Sequence, residues 1–267
     1  MFDLSNARFA FLDIETTGLS PWFGDRICQI AIVLTEGKRI KQTYQKLVNP
    51  QRPLSPAAAS TNGLTDAELS SAPAFVEVAE SVTGLIKDAV VVCHNAQFDL
   101  QFLDSEYRRL GGEIQIPNLI DTLLLARQYF EFPSNTLVSI AEALHVQKDE
   151  AHRALNDAMT MRSIFFNMMD ALKEDGRPLD DYIGIYNSPA WPKDGVKLPT
   201  ELGEAIDSGK RLLITYIDGD GEKTQRWISP KQVLGLSDYL YLQAYCHLRR
   251  AERSFRLDRI VELRVEV

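Results

Sequence analysis

The chain is predicted to be an α/β protein, a sheet flanked by helices, followed by a small β-rich domain. Three observations carry this expectation. Short apolar, strand-like runs come first and then alternate with helical ones. A proline-rich stretch with little periodicity, 176–199, interrupts the chain. Beyond it, strand-like runs dominate to the end of the 267 residues.

Taken in order, Arg8–Glu15 is an apolar run ending in acids and reads as a buried strand. Ile27–Leu34 and Ile40–Val48 are β-rich runs separated by a turn at Glu36–Gly37, so the three form an antiparallel meander. Thr65–Ser70 and Phe75–Lys87 read as helices. Ala89–Cys93 is a further short strand, and Gln97–Leu110 a helix stopped by Gly111-Gly112. Leu119–Phe130, Leu137–Leu144 and Arg153–Leu172 complete the helical set. Pro178, Pro189, Pro192 and Pro199 mark the linker, and its Tyr182, Ile183, Ile185, Tyr186 and Trp191 are apolar enough to dock on a domain. A helix over 200–208 precedes strands at 211–217, 224–233, 239–247 and 253–266. The domains expected are therefore 1–175 and 200–267, joined by 176–199.

Hydrophobic residues at 45% and charged residues at 25% suit a soluble globular protein. No run approaches the roughly 20 apolar residues that span a bilayer, and no export signal is evident, so no membrane association is expected. Cys28, Cys93 and Cys246 are far apart in apolar surroundings and read as reduced thiols of a cytoplasmic protein. The net charge of −8 is uneven: residues 1–175 carry 15 Lys and Arg against 23 Asp and Glu, whereas 176–267 carry 14 of each. An acidic first half argues against a broad electrostatic grip on phosphates. It suits carboxylates that converge on divalent cations, because those cations then supply the local positive charge.

Three local patterns fit that chemistry. Asp13 and Glu15 end an apolar strand, and strand alternation puts them on one face. His94 and Asn95 follow the strand 89–93, and Asp99 falls in the first turn of the next helix, where an acid also serves as simple charge complementarity. His152 and Asp157 are five apart, about 140° around a helix, so they share a face only if His152 precedes it.

In order and separation these motifs resemble the DEDDh exonuclease family, which includes the proofreading subunit of bacterial DNA polymerase III. The resemblance covers residues 8–173 and extends to Asp121-Thr122 at a helix start. It implies a ribonuclease H-like mixed sheet and 3′→5′ removal of nucleoside monophosphates from single-stranded DNA or RNA. It also implies two divalent cations, Mg²⁺ or Mn²⁺, whose preference for hard oxygen ligands suits Asp13, Glu15, Asp99 and Asp157. His152 is implied as general base, since an imidazole titrates near neutrality. Thr16, Thr17, Gly18 and Leu19 are implied to touch the terminal nucleotide, with Asn95 and Phe98 beside them; Phe98 either faces bases or fills the core. One departure is Asn62, which stands where many relatives have histidine.

The region from residue 200 resembles a WYL domain, through Ile214-Thr215-Tyr216, Arg226–Pro230, Leu240–Cys246 and Arg253–Ile260, although Leu240 replaces the name-giving tryptophan. That resemblance implies a small Sm/SH3-like β-barrel that binds nucleic acid or a nucleotide-like ligand. Arg226, Tyr241, Arg253, Arg256 and Arg259 are the residues expected to do so, by phosphate pairing and base stacking. Arg253 and Arg259, six apart, share one face if the run 253–266 is one strand. The bland alternative is that these arginines pair with Glu252, Asp258 and Glu262 on a solvated sheet. For the whole chain, the alternative to an exonuclease is a catalytically inactive nucleic-acid-binding scaffold, which the complete acidic set disfavours. DNA or RNA preference, oligomeric state and the WYL ligand are not encoded in any motif.

Overall fold

The computed structural model describes residues 4–147, 153–173, 178–186, 199–219, 221–236 and 239–266. The first sheet opens with strands β1 (Arg8–Thr16), β2 (Ile27–Glu36) and β3 (Arg39–Leu47), which form the predicted antiparallel meander. Helices α1 (Pro56–Asn62), α2 (Asp66–Ser70) and α3 (Phe75–Ile86) follow, then β4 (Val90–Cys93) and α4 (Ala96–Arg109). The chain continues through β5 (Ile116–Asp121), α5 (Thr122–Tyr129), α6 (Leu137–Ala143), α7 (Ala154–Leu172) and β6 (Gly184–Tyr186). Strand order is β3-β2-β1-β4-β5-β6, with β1, β4 and β5 parallel and the remaining pairs antiparallel. The mixed sheet flanked by helices is thus the architecture that forms.

β1 is apolar on both faces because helices cover both. Ala10, Leu12 and Ile14 join the cluster formed with α3 and α4. Phe9 and Phe11 join the cluster on the opposite face, where Phe165 of α7 packs against them with tilted rings at 5.1 and 5.6 Å between ring centres. Since side chains alternate along a strand, Asp13 and Glu15 follow Phe9 and Phe11 onto the α7 face. Aromatic burial on this scale is what fixes the position of α7 relative to β1.

Three elements lie beyond those predicted. α1 carries complete local signals: Ser55 caps it by accepting from the Ala58 N–H at 3.1 Å, Pro56 opens it, and Gly63 ends it in the left-handed conformation. β5 occupies the start of what reads as a helix over 119–130. Only its last three residues overlap that helix: Leu119 and Ile120 run on into the apolar Leu123–Leu125 without alternation, and Asp121 ends the strand and caps α5. β6 lies within the proline-rich stretch and pairs with β5, while Leu179 and Tyr182 just before it are buried in the second cluster.

The second sheet comprises α8 (Thr200–Ser208) and strands β7 (Leu212–Ile217), β8 (Lys223–Leu236), β9 (Tyr239–Cys246), β10 (Ala251–Arg256) and β11 (Ile260–Val265). Its order is β10-β9-β8-β7-β11, antiparallel throughout. The expected Sm/SH3-like barrel is not what forms. Closure requires a ladder between the first and last strands, and among the described residues β10 and β11 are separate edges. The apolar face is covered by other means: Leu202, Ala205 and Ile206 of α8 and Trp22 from the first domain pack onto Leu212, Ile214, Ile228, Val233 and Leu242. The run 253–266 also breaks at the turn Leu257–Arg259, so Arg253 and Arg259 do not share a strand. Among the described residues no helix is long and apolar enough to cross a membrane.

Candidate active site

Asp13 and Glu15 project from the end of β1, half-buried, between the buried Leu12, Ile14 and Thr16. Asp157 joins them from the first turn of α7. Carboxylate oxygens of Asp13, Glu15 and Asp157 all lie within 4.8 Å of one another. The start of α7 is held to the sheet by Gln29 of β2, the register partner of Glu15, whose Oε1 accepts the Ala154 N–H at 3.1 Å. Gln29 is a site residue the motifs do not disclose; its signal is one buried amide within the otherwise apolar run of β2.

Asp99 is buried in the first turn of α4 and faces the same group, since its charge is the largest neighbouring influence on Asp13. Asp121 builds its position. That carboxylate, at the end of β5, accepts the N–H groups of Asn95 and Ala96 at 3.0 Å each and of Leu123 at 2.9 Å. One side chain therefore caps α5 and ties down the N-terminus of α4. Asn95 adopts the left-handed conformation at φ 68°, which asparagine tolerates better than most residues, and its side chain makes no cap bond. His94 has a structural role: its Nε2–H donates to the Asn135 carbonyl at 3.0 Å and Nδ1 pairs with the Thr122 hydroxyl at 2.9 Å. Burial, above all, holds its pKa below the usual value.

Electrostatically the cluster is in conflict with itself. Burial, then Asp99, Asp157 and Glu15, raise the Asp13 carboxyl well above the ordinary range. Glu15 rises from 4.5 to about 7 through burial and Asp157, opposed by Arg153. Asp99 is also raised well above its ordinary range, through burial above all. Like charges held this close need a counter-cation, and an all-oxygen carboxylate set is the donor set that Mg²⁺ and Mn²⁺ take. The residues present therefore fit the implied cations.

The loop after β1 borders a cavity of about 260 Å³ whose walls include Glu15, Thr16, Gly18, Leu19, Asn62 and Phe98. The Thr16 hydroxyl donates to the Gly18 carbonyl at 2.6 Å. Thr17 is turned inward, donating to Asp25 Oδ1 and accepting the Arg26 N–H, both at 3.1 Å. Asp25 further accepts the Ser20 N–H at 3.1 Å and pairs with Arg52 at 3.0 Å. A side chain at Gly18 would place its Cβ 2.5 Å from Asp25 Oδ2, which explains the glycine. Leu19 is left 44% exposed beside the cavity. Phe98 is partly buried, packs on Phe102 with ring centres 5.0 Å apart and lines the cavity as well, so it serves both core and wall. Asn62, in the position that departs from the family pattern, is buried and donates to the Thr16 carbonyl at 3.4 Å. His152 lies outside the described residues; α7 begins at Ala154.

The second domain divides its predicted ligand residues. Tyr241 and Arg256 are cross-strand partners on one face. Arg256 already pairs with Asp258 at 2.6 and 3.0 Å and lies 3.5 Å over the Tyr239 ring. Arg253, opposite Ala244, falls on the other face and is exposed. Arg226 sits on that face too, 5.6 and 5.7 Å over the rings of Tyr216 and Phe255. Arg259 lies in the turn after β10.

Residues 10–165 match the profile of the RNase T family, described as an exonuclease, and residues 198–265 match the WYL domain. Both matches agree with the resemblances drawn from the motifs. The 3′-5′ exonuclease DinG of Bacillus subtilis (strain 168) is 33% identical over 172 residues, covering 64% of this chain and 18% of that protein. The DNA polymerase III subunit epsilon-like protein of Rhodobacter capsulatus is 35% identical over 178 residues, covering 65% and 25%. The chain thus spans a quarter or less of the length of these curated relatives. The crystallographic structure of the nuclease domain of 3′hExo, a DEDDh family member bound to rAMP, is similar at a TM-score of 0.57 and 19% identity, over 70% of this chain and all of that one. That likeness shows the fold.

Proposed function

The chain belongs to the RNase T exonuclease family, and from that premise we propose that it removes nucleoside monophosphates stepwise from the 3′ end of single-stranded nucleic acid. The observation that carries this reading is the convergence of Asp13, Glu15 and Asp157 within 4.8 Å, with Asp99 buried alongside. Asp13, Glu15 and Asp157 would hold one divalent cation, and Asp99 would help to hold a second. When bound, such ions neutralise charge on the phosphate and favour ionisation of the attacking water. The chain's own groups do the rest. Leu19 and Phe98 present apolar surface to the terminal base, and the loop Thr16–Leu19, fixed by Asp25 and Asn62, sets where the last sugar sits. His152, preceding α7, takes the proton of the attacking water.

In the same reading, 1–175 is the nuclease domain, with β6 completing its sheet, 176–199 leads out of it, and 200–267 is the WYL domain. The latter binds nucleic acid or a nucleotide-like ligand through Arg226, Tyr241, Arg253, Arg256 and Arg259. Free, buried Cys28, Cys93 and Cys246 support a reducing compartment such as the cytoplasm. The test is an end-labelled single strand incubated with Mn²⁺ and then with EDTA. Shortening that stops on chelation is expected. His152→Ala should lose most turnover while keeping Mn²⁺ affinity, and Asp13→Asn should lose both. Unchanged turnover in His152→Ala removes that residue from the base role, and no shortening with Mn²⁺, nor with Mg²⁺ in its place, leaves the scaffold reading standing.

A further inference from the structure

The two domains meet at the nuclease cavity. Trp22, in the turn Pro21–Phe23 just after Leu19, is buried in the core of the second domain. Its indole N–H donates to Gln101 Oε1 at 3.1 Å. The amides of Gln97 and Gln101 both donate to the carbonyl of Gly235 in β8, at 3.1 and 3.3 Å. These two glutamines lie on α4 on either side of Phe98 and Asp99, so the junction grips both the loop and the helix that frame the proposed site. α8 lies in this junction. Its Leu202, Ala205 and Ile206 enter the shared core with Trp22, and the next residue, Asp207, lines the same cavity as Glu15, Thr16, Leu19 and Phe98.

An acid in the last turn of a helix opposes the helix dipole, so helix stability gives no reason for Asp207. Its carboxylate is an acceptor only, and it repels phosphate. Beyond the charges of Asp25 and Arg52, which act on it in opposite directions, what it can recognise in this cavity is a hydrogen-bond donor on a nucleotide. We propose that Asp207 is a specificity-determining residue that the second domain contributes to the nuclease pocket, accepting a hydrogen bond from an exocyclic amine or a 2′-hydroxyl of the terminal nucleotide. This rests on the exonuclease reading for the identity of the substrate. It goes beyond that reading in making the pocket a product of both domains.

The experiment compares kcat/KM for four strands of one body sequence ending in dA, dT, rA or rU, in wild type, Asp207→Ala and Asp207→Asn. A hydrogen bond to a charged group at a solvent-facing rim is expected to contribute about 10-fold. An amine contact predicts that the dA-over-dT ratio falls about 10-fold in Asp207→Ala. A 2′-hydroxyl contact predicts the same fall in rA over dA. Asp207→Asn keeps an acceptor oxygen and should fall between. Equilibrium binding of the four matching nucleoside 5′-monophosphates in Mn²⁺ supplies a readout that needs no turnover. If wild type cleaves nothing but its nucleotide preference depends on Asp207, the exonuclease reading fails and this inference stands. If every ratio stays within twofold in both assays while the variants fold, the inference is overturned.

Discussion

Replacing Glu15 by glutamine should stabilise the metal-free protein even as it weakens metal binding. The Glu15 carboxyl ionises near 7 in the folded chain against 4.5 ordinarily. The sign follows from proton counting. Between those values the unfolded state has released its proton and the folded state has not, so stability falls as pH rises through the window and the loss levels off above it. At about 1.36 kcal/mol per pH unit, the loss is about 3 kcal/mol at pH 8 and only about 0.8 kcal/mol at pH 5. Glu15 is half-buried, and solvent screening reduces the first figure to about 2 kcal/mol. For a domain of this size that corresponds to about 4–8 °C in Tm. The assay is thermal unfolding of wild type and Glu15→Gln in EDTA at pH 5 and pH 8, repeated with saturating Mn²⁺. Glu15→Gln should melt higher in EDTA at pH 8 and nearly level with wild type at pH 5. Mn²⁺ should raise wild type far more than the variant, because ligand binding adds stability by mass action. A variant that melts at or below wild type in EDTA at pH 8, or a gap equal at both pH values, refutes the reasoning.

Asp121→Ala should lower Tm and activity together, because three backbone N–H groups lose their acceptor; a cost of about 2–3 kcal/mol is expected, and Mn²⁺ affinity should drop as Asp99 loses its anchored helix. Leu19→Ala should leave Tm within about 1 °C, since the side chain is exposed, while raising KM for single strands several-fold; an unchanged KM would take Leu19 out of the substrate contact.

How much was legible follows from which signals are local. The acidic residues and their order are written in short motifs, each next to an element whose type periodicity declares, and the structure brings Asp13, Glu15 and Asp157 together. What escaped were features whose cause is distant in sequence. The end of β5 reads as part of a helix because Leu119 and Ile120 run on into the apolar residues of α5, and its partner β4 is needed to reveal the strand. Gln29 looks like an interruption in β2 until α7 arrives to use its amide. The barrel expected for the second domain failed for a similar reason: its strands are plain in the sequence, but whether the sheet closes depends on what covers its apolar face. That cover comes from α8 and from Trp22, a residue of the first domain.

The core and the chemistry of the nuclease sheet are one pattern rather than two. On β1 the same parity that turns Phe9 and Phe11 toward Phe165 turns Asp13 and Glu15 toward the start of α7. A one-residue slip of β1 against β2 would carry all four side chains onto the α3 and α4 face, taking both acids away from Asp157 and the two phenylalanines away from Phe165. The aromatic contacts therefore do more than stabilise: they hold Asp13, Glu15 and Asp157, three mutually repelling carboxylates, at a separation that the charges alone would not keep. A site with this much internal repulsion persists only where surrounding packing over-determines it. Here that packing is the α7 face, with Gln29 and Asp121 setting the two helix starts that deliver Asp157 and Asp99.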